Sequence, residues 1–237
     1  MMLLERPAGQ SISRVTAAWV GKVVVCVATG PSLTREQLEA VRSSGHPVIA
    51  VNDAYLLCDF AGVVYFADVK WSRWQREGKD KPELGLSAAD VRQRWKDFKG
   101  QKCTIAVGHK PTEEPGAHVL RNARANGLSQ DPSAICTGSH SGYQALNLAV
   151  LAKPAKVVLL GYDCQAVAGR DHFFGTHPDK SKPPYRSIRQ CYRQAADVCK
   201  RLGVKVVNAT PGSAIDAFPK VELAASLQPD PAPALVS

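Results

Sequence analysis

Val23-Val24-Val25-Cys26-Val27-Ala28-Thr29-Gly30-Pro31-Ser32-Leu33 is an apolar run that breaks abruptly into small and turn-forming residues. Its β-branched side chains show no polar alternation, which is the pattern of a parallel strand buried on both faces. In an open α/β sheet, the ligand sits at the carboxyl ends of such strands. Gly30 permits a close backbone approach, Pro31 sets one dihedral, and Ser32 or Thr34 can cap the helix expected over Arg35 to Ser44. A helix start here offers N–H groups and a partial positive charge suited to a phosphate. The turn fits neither G-x-G-x-x-G nor the P-loop, so it identifies neither a dinucleotide site nor a Walker-type NTPase. Read blandly, it is punctuation after a strand.

The same pattern recurs outward from this strand. Val48 to Val51 runs into Asn52-Asp53, Val63 to Ala67 into Asp68, and Lys156 to Leu160 into Gly161-Tyr162-Asp163. Cys103 to Val107 and Val204 to Thr210 complete six expected strands alternating with helices. This order predicts a single doubly wound, mostly parallel Rossmann-like α/β sheet with helices on both faces. Gly30, Asn52, Asp68, Gly138 and Asp163 would then converge at one edge.

The 237 residues suit one such domain. The expected division is an extension over 1–21, the domain over 22–219, and a Pro/Ala-rich disordered tail over 220–237. Segments 108–132 and 163–186 are long and polar, and are expected to be lid loops. No apolar run is long enough to span a bilayer, and a cytoplasmic location is expected. Seven cysteines without a C-x-x-C pair read as reduced, structural thiols. The net charge of +9 favours anionic partners: a nucleotide, a phosphorylated donor or nucleic acid. Trp71, Trp74 and Trp95 interleaved with cations fit either nucleic-acid stacking or amphipathic helices with packed tryptophans, and their spacing favours the latter.

Two further stretches carry candidate chemistry. Thr137-Gly138-Ser139-His140-Ser141-Gly142 opens an apolar helix, and its hydroxyl and N–H groups suit a phosphate or carboxylate. The order Ser141, Asp163, His172 loosely satisfies a hydrolase triad, whereas helix capping is the plain alternative. Gly169 to Pro178 holds His172 and His177 beside acids, in position for general base or acid work; their spacing is a weak metal signal.

Taken together, Thr29-Gly30-Pro31-Ser32-Leu33, Asn52-Asp53, Thr137-Gly138-Ser139, Gly161-Tyr162-Asp163, His172 to His177 and the later Asn-x-Thr-Pro-x-Ser element resemble a known superfamily. It joins the Campylobacter-type bacterial sialyltransferases with the 6-hydroxymethylpterin diphosphokinase-like proteins, small phage and prophage members included. The resemblance covers about residues 22 to 219.

It implies a nucleotide-dependent transferase. In the sialyltransferase-like form, Thr29, Gly30, Pro31, Ser32, Asn52 and Asp53 surround the nucleotide of a nucleotide-sugar donor. Thr137, Gly138 and Ser139 contact its phosphate or sugar carboxylate, and Gly161, Tyr162 and Asp163 complete the edge. His172 or His177 deprotonates the acceptor hydroxyl, and no cofactor is required. In the diphosphokinase-like form the edge binds ATP, and Asp68 and Asp163 ligate Mg²⁺. A non-catalytic phage accessory or assembly protein that binds nucleic acid or protein is the third expectation. The sequence departs from the sialyltransferase pattern at Thr29, where those enzymes usually carry Asn, and in the distance of the base from the Gly-x-Asp strand.

Overall fold

The structure is a computed structural model that describes residues 2–106, 114–124, 126–138, 140–173 and 184–229. The described chain begins with a short antiparallel hairpin, β1 (Leu4–Glu5) with β2 (Arg14–Val15). There follow β3 (Val23–Val27), α1 (Arg35–Ser44), β4 (Val48–Val51), β5 (Val63–Tyr65), α2 (Val69–Glu77) and α3 (Ala88–Asp97). The second half comprises β6 (Gln101–Ile105), β7 (His118–Asn122), β8 (Ala134–Ile135), α4 (Ser141–Leu151), β9 (Lys156–Leu160), α5 (Tyr185–Leu202), β10 (Lys205–Asn208) and α6 (Leu223–Ser226).

Eight strands form one wholly parallel sheet in the order β10-β9-β3-β4-β5-β6-β7-β8. The chain walks outward from β3 to β8, then returns to lay β9 on the other side of β3. Right-handed crossovers require that this change of direction move the helices to the opposite face. The two cores show the switch. Val23, Val25 and Val27 face one core, to which α1, α2 and α3 contribute Leu38, Val41, Trp71 and Trp95. Val24 and Cys26 face the other, with Leu146 and Leu148 of α4 and Ile188 and Tyr192 of α5. All five residues of β3 and of β9 are buried, which accounts for the apolar runs Val23–Val27 and Val157–Leu160.

Two expectations are corrected, over 108–132 and 220–237, and the 1–21 extension gains a place in the core. The 108–132 stretch is not all loop: β7 pairs in parallel with β6, and Val119 and Leu120 are buried. Its polar ends, His118 and Asn122, hid a short strand near the sheet edge. Residues 107–113 lie outside the described residues. The 1–21 extension is bound into the fold, with Leu3, Leu4, Val15 and Trp19 joining the α4–α5 core. The 220–237 segment is ordered as far as it is described: Val221 N donates to Asn208 O, and Leu227 packs against the opposite core. Buried Lys156 holds it through bonds from Nζ to the carbonyls of Ser226 and Gln228. Residues 230–237 lie outside the described part.

The tryptophans divide. Trp71 and Trp95 pack edge-on with ring centroids 5.6 Å apart, beside Tyr55 and Phe66, and belong to the core. Trp74 is half-buried with the ammonium groups of Lys70 and Lys79 5.0 and 3.4 Å from its ring centroid. Among the described residues no helix is long and apolar enough to cross a membrane.

At the switch, β3 and β9 approach closely enough that two glycines are obligatory. A Cβ on Gly161, whose φ is +72°, would lie 2.3 Å from the Ala28 carbonyl oxygen. Gly169 has a similar φ of +74° but open space around it. Gly161→Ala is therefore expected to cost well over the roughly 1–3 kcal/mol of backbone strain alone, whereas Gly169→Ala pays only the strain. Urea denaturation of both variants checks this; equal losses would show that the strands separate freely.

Candidate active site

The carboxyl ends of β3 and β9 bound a crevice of about 260 Å³ at the topological switch point. Its described lining includes Thr29, Gly30, Asn52, His140, Ser141, Gly142, Gly161, Tyr162, Asp163, Asp171, His172 and Tyr185. Asn52 and Cys164, both on this lining, hold φ near +50°, a conformation that non-glycine residues seldom adopt.

The Gly-Pro-Ser turn is closed from within. Gly30 N donates to Gly161 O at 2.9 Å, and Leu33 N donates to Gly30 O at 3.1 Å. Ser32 donates from N to Asp163 Oδ1 (3.1 Å) and from Oγ to Oδ2 (3.0 Å). Thr34 N donates to Gln37 Oε1 in a capping box, so Thr34 is the cap of α1. Pro31 has no N–H. The groups expected to cradle a phosphate here are thus spent on the fold, and the anion at this turn is the protein's own Asp163. Burial raises the Asp163 pKa, and the two bonds from Ser32 oppose that rise.

The Asn-x-Thr-Pro-x-Ser element braces the β9 end from behind. Thr210 Oγ1 accepts from Tyr162 N at 2.9 Å, Ser213 Oγ donates to Tyr162 O at 2.6 Å, and Ala214 N donates to Asp163 O at 2.8 Å. Tyr162 is buried, and its hydroxyl donates to Gly142 O at 3.1 Å.

Two imidazoles line the crevice. Phe173 N donates to Thr29 O at 2.7 Å, which ties the loop after β9 to the end of β3 and sets His172 Nδ1 3.3 Å from Thr29 Oγ1. His140 is the N-cap residue of α4, which begins without a side-chain cap, and its Nδ1 lies 3.3 Å from Tyr192 Oη. Burial, reinforced by neighbouring His172, pushes the His140 pKa from 6.5 down to about 4. Beside them, Tyr185 Oη donates to Asp171 Oδ1 at 2.8 Å.

The residues expected from sequence sort as follows. Thr29, Gly30, Asn52, Gly161, Tyr162, Asp163 and His172 line the crevice. Pro31 and Ser32 lie in the closed turn. Thr137 and Gly138 form the turn before α4, where Thr137 O accepts from Gln144 Nε2 and Gly138 lies against the Tyr143 ring. Asp53 instead accepts from Trp71 Nε1 (3.0 Å) and pairs with Lys81 Nζ (2.5 Å). Asp68 caps α2 by accepting from Lys70 N. β5 stands three strand spacings from β9, about 14 Å, too far for Asp68 and Asp163 to ligate one ion directly. Among the described residues no three His, Cys, Asp or Glu side chains form a metal-ligating group. Ser139 and His177 lie outside the described residues.

His140 and Asp171 join the site from tertiary structure. The sequence signal for His140 was a histidine where a helix cap was expected, between two serines that suit a cap better.

No protein-family model and no curated protein sequence matches the chain. Among solved structures it is similar to thiamin pyrophosphokinase from Geobacillus thermodenitrificans, with a TM-score of 0.37 and 12% sequence identity. The alignment covers 78% of this chain and 58% of that one, so the chain spans under two thirds of that protein's length. At that score the likeness carries no information on substrate or reaction.

Asp163→Ala leaves the Ser32 N–H without its partner at a half-buried turn and is expected to destabilise by about 1–3 kcal/mol in denaturant titrations. For His140, the unfolded state takes up a proton below pH 6.5 and the folded state only near 4, so stability falls on acidification through that window. His140→Gln is expected to shallow that fall, measured as urea midpoints at pH 7 and 4.5; an unchanged slope would assign the loss to other groups.

Proposed function

We propose that the protein is a nucleotide-dependent group transferase whose donor binds in the β3–β9 crevice. The observation that carries this reading is the pair of imidazoles, His172 and His140, at a switch-point crevice that also takes in the uncapped start of α4. Switch-point crevices are the default ligand site of doubly wound sheets. The start of α4, at Ser141 and Gly142, replaces the Gly-Pro-Ser turn as the region of positive potential for a phosphoryl group.

The transfer we propose moves a sugar from a nucleotide-sugar donor to an acceptor hydroxyl. With His172 placed as the tautomer that donates Nδ1–H to Thr29 Oγ1, 3.3 Å away, Nε2 takes the acceptor proton as the acceptor oxygen bonds to the sugar, and the bond from the sugar to the donor's phosphate oxygen breaks, the nucleotide leaving with that electron pair. The Asp171–Tyr185 pair lies on the same wall and supplies polar contacts to sugar or acceptor hydroxyls. Asn52, at the end of β4, belongs to the nucleoside side.

A thermal-shift panel of CMP, UDP, GDP, ATP and CMP-sugars, each with and without Mg²⁺, tests the reading. A nucleotide at a hundredfold excess over Kd adds about 2.7 kcal/mol, a rise of roughly 5–10 °C in Tm for a chain of this size. A metal-independent response to a pyrimidine nucleotide or its sugar supports glycosyl transfer. Response to ATP only with Mg²⁺ replaces it with diphosphoryl transfer. No response to any nucleotide overturns the transferase reading and favours a binding or assembly role. With a responding donor, His172→Ala is expected to lower turnover at least a hundredfold while leaving the donor Kd within threefold.

A further inference from the structure

We propose that His140 reads the phosphoryl group of the ligand, presenting Nε2–H as a donor from a ring oriented by Tyr192, and so divides the work of the crevice with the proton-accepting His172. This rests on the reading that the crevice takes a nucleotide.

The geometry begins with Tyr192. It is fully buried on α5, with the rings of Tyr143, Tyr162 and Phe218 edge-on at centroid distances of 5.4, 6.3 and 6.3 Å. So packed, the phenol has little freedom to turn, and burial keeps it protonated by raising its pKa well above 10. Its hydroxyl keeps a proton to donate, and His140 Nδ1, 3.3 Å away, is where we place it. A ring that accepts at Nδ1 carries its own proton on Nε2.

Position 142 is shaped to this imidazole. A Cβ on Gly142 would come within 2.8 Å of His140 Cε1 and 2.9 Å of Tyr162 Cε1. Glycine there allows the ring to lie over the first turn of α4 beside His172. His140 also follows an extended backbone, with φ −154° and ψ 127°, that carries its side chain off the helix.

The charges around the ring favour the neutral form. The neighbouring phenols of Tyr162 and Tyr192 are uncharged, since burial raises both. Asp163 is held by Ser32, and Asp171 accepts from Tyr185. His172 is the neighbour whose charge opposes protonation of His140. A neutral N–H donor here favours a phosphoryl oxygen without adding a charge that must be given up when product leaves.

Long-range ¹H–¹⁵N spectra of the uniformly ¹⁵N-labelled full chain test the state of the ring without any ligand. The expected result is a single Nε2–H tautomer for His140 from pH 8 to pH 5, with Tyr192→Phe mixing in the Nδ1–H form. A charged ring or an Nδ1–H tautomer at pH 7 would overturn the inference. Calorimetry with CMP against cytidine, and ATP against adenosine, tests the contact itself. His140→Phe is expected to weaken the nucleotide at least tenfold and leave the nucleoside within twofold, whereas His140→Gln, which retains an N–H donor, recovers most of the loss. Equal weakening of nucleotide and nucleoside, or none, overturns the phosphoryl contact and leaves the transferase reading standing. Failure of the unmodified chain to bind any of the four probes overturns that reading and the contact together, while the spectra still report whether Tyr192 sets the tautomer.

Discussion

The join between the carboxyl ends of β3 and β9 is the constraint on which the site depends. Gly30 N reaches Gly161 O, Ser32 clasps Asp163 through two hydrogen bonds, and glycine at both 30 and 161 lets the backbones come this close. The two strands are far apart in sequence but adjacent in space because the chain reverses its direction across the sheet between them. Hydrogen bonds to an ionised acceptor contribute on the order of 1.5–3 kcal/mol each, enough to offset much of the desolvation of a buried carboxylate. Asp163 is therefore a clamp first, and its presence on the crevice wall is a by-product of where it clamps.

That clamp changes what this edge can offer a ligand. In many α/β proteins the first strand–helix turn supplies N–H groups to a phosphate. Here the carbonyls of Gly161 and Gly30, the Asp163 carboxylate and the capping Gln37 take up the N–H groups of Gly30, Leu33, Ser32 and Thr34. Positive potential and donors move to the other wall, where α4 begins beside His140. The crevice thus pairs one wall that is rigid and internally satisfied with another that presents titratable and donor groups.

Support for the second wall comes from the core. Tyr192 lies at the centre of an aromatic cluster that joins α4, α5 and the β9 end, so the ring touching His140 is among the best packed in the protein. His172 is held differently, through a backbone bond from Phe173 to Thr29 and a side-chain contact to the same threonine. One imidazole is positioned by the hydrophobic core and the other by a loop. The first suits a fixed donor and the second a group that must exchange a proton.

Much of the architecture was legible in the sequence. Buried parallel strands must be apolar on both faces, so Val23–Val27, Val48–Val51, Val63–Tyr65 and Lys156–Leu160 announced themselves, as did Thr34 as one of two candidate caps and the glycine at the turn. β7 and β8 did not, because strands of five and two residues near a sheet edge carry too few apolar positions to set a period. Which strand lies beside β3 was not readable either, since sequence order does not state where the sheet reverses. Tertiary structure alone assigned Asp53 to Trp71 and Lys81, spent the Ser32 amide on Asp163, and brought His140 against Tyr192. The physical reason is the same in each case: a polar side chain's role is set by the partner that satisfies it, and these partners lie up to 131 residues away in the chain.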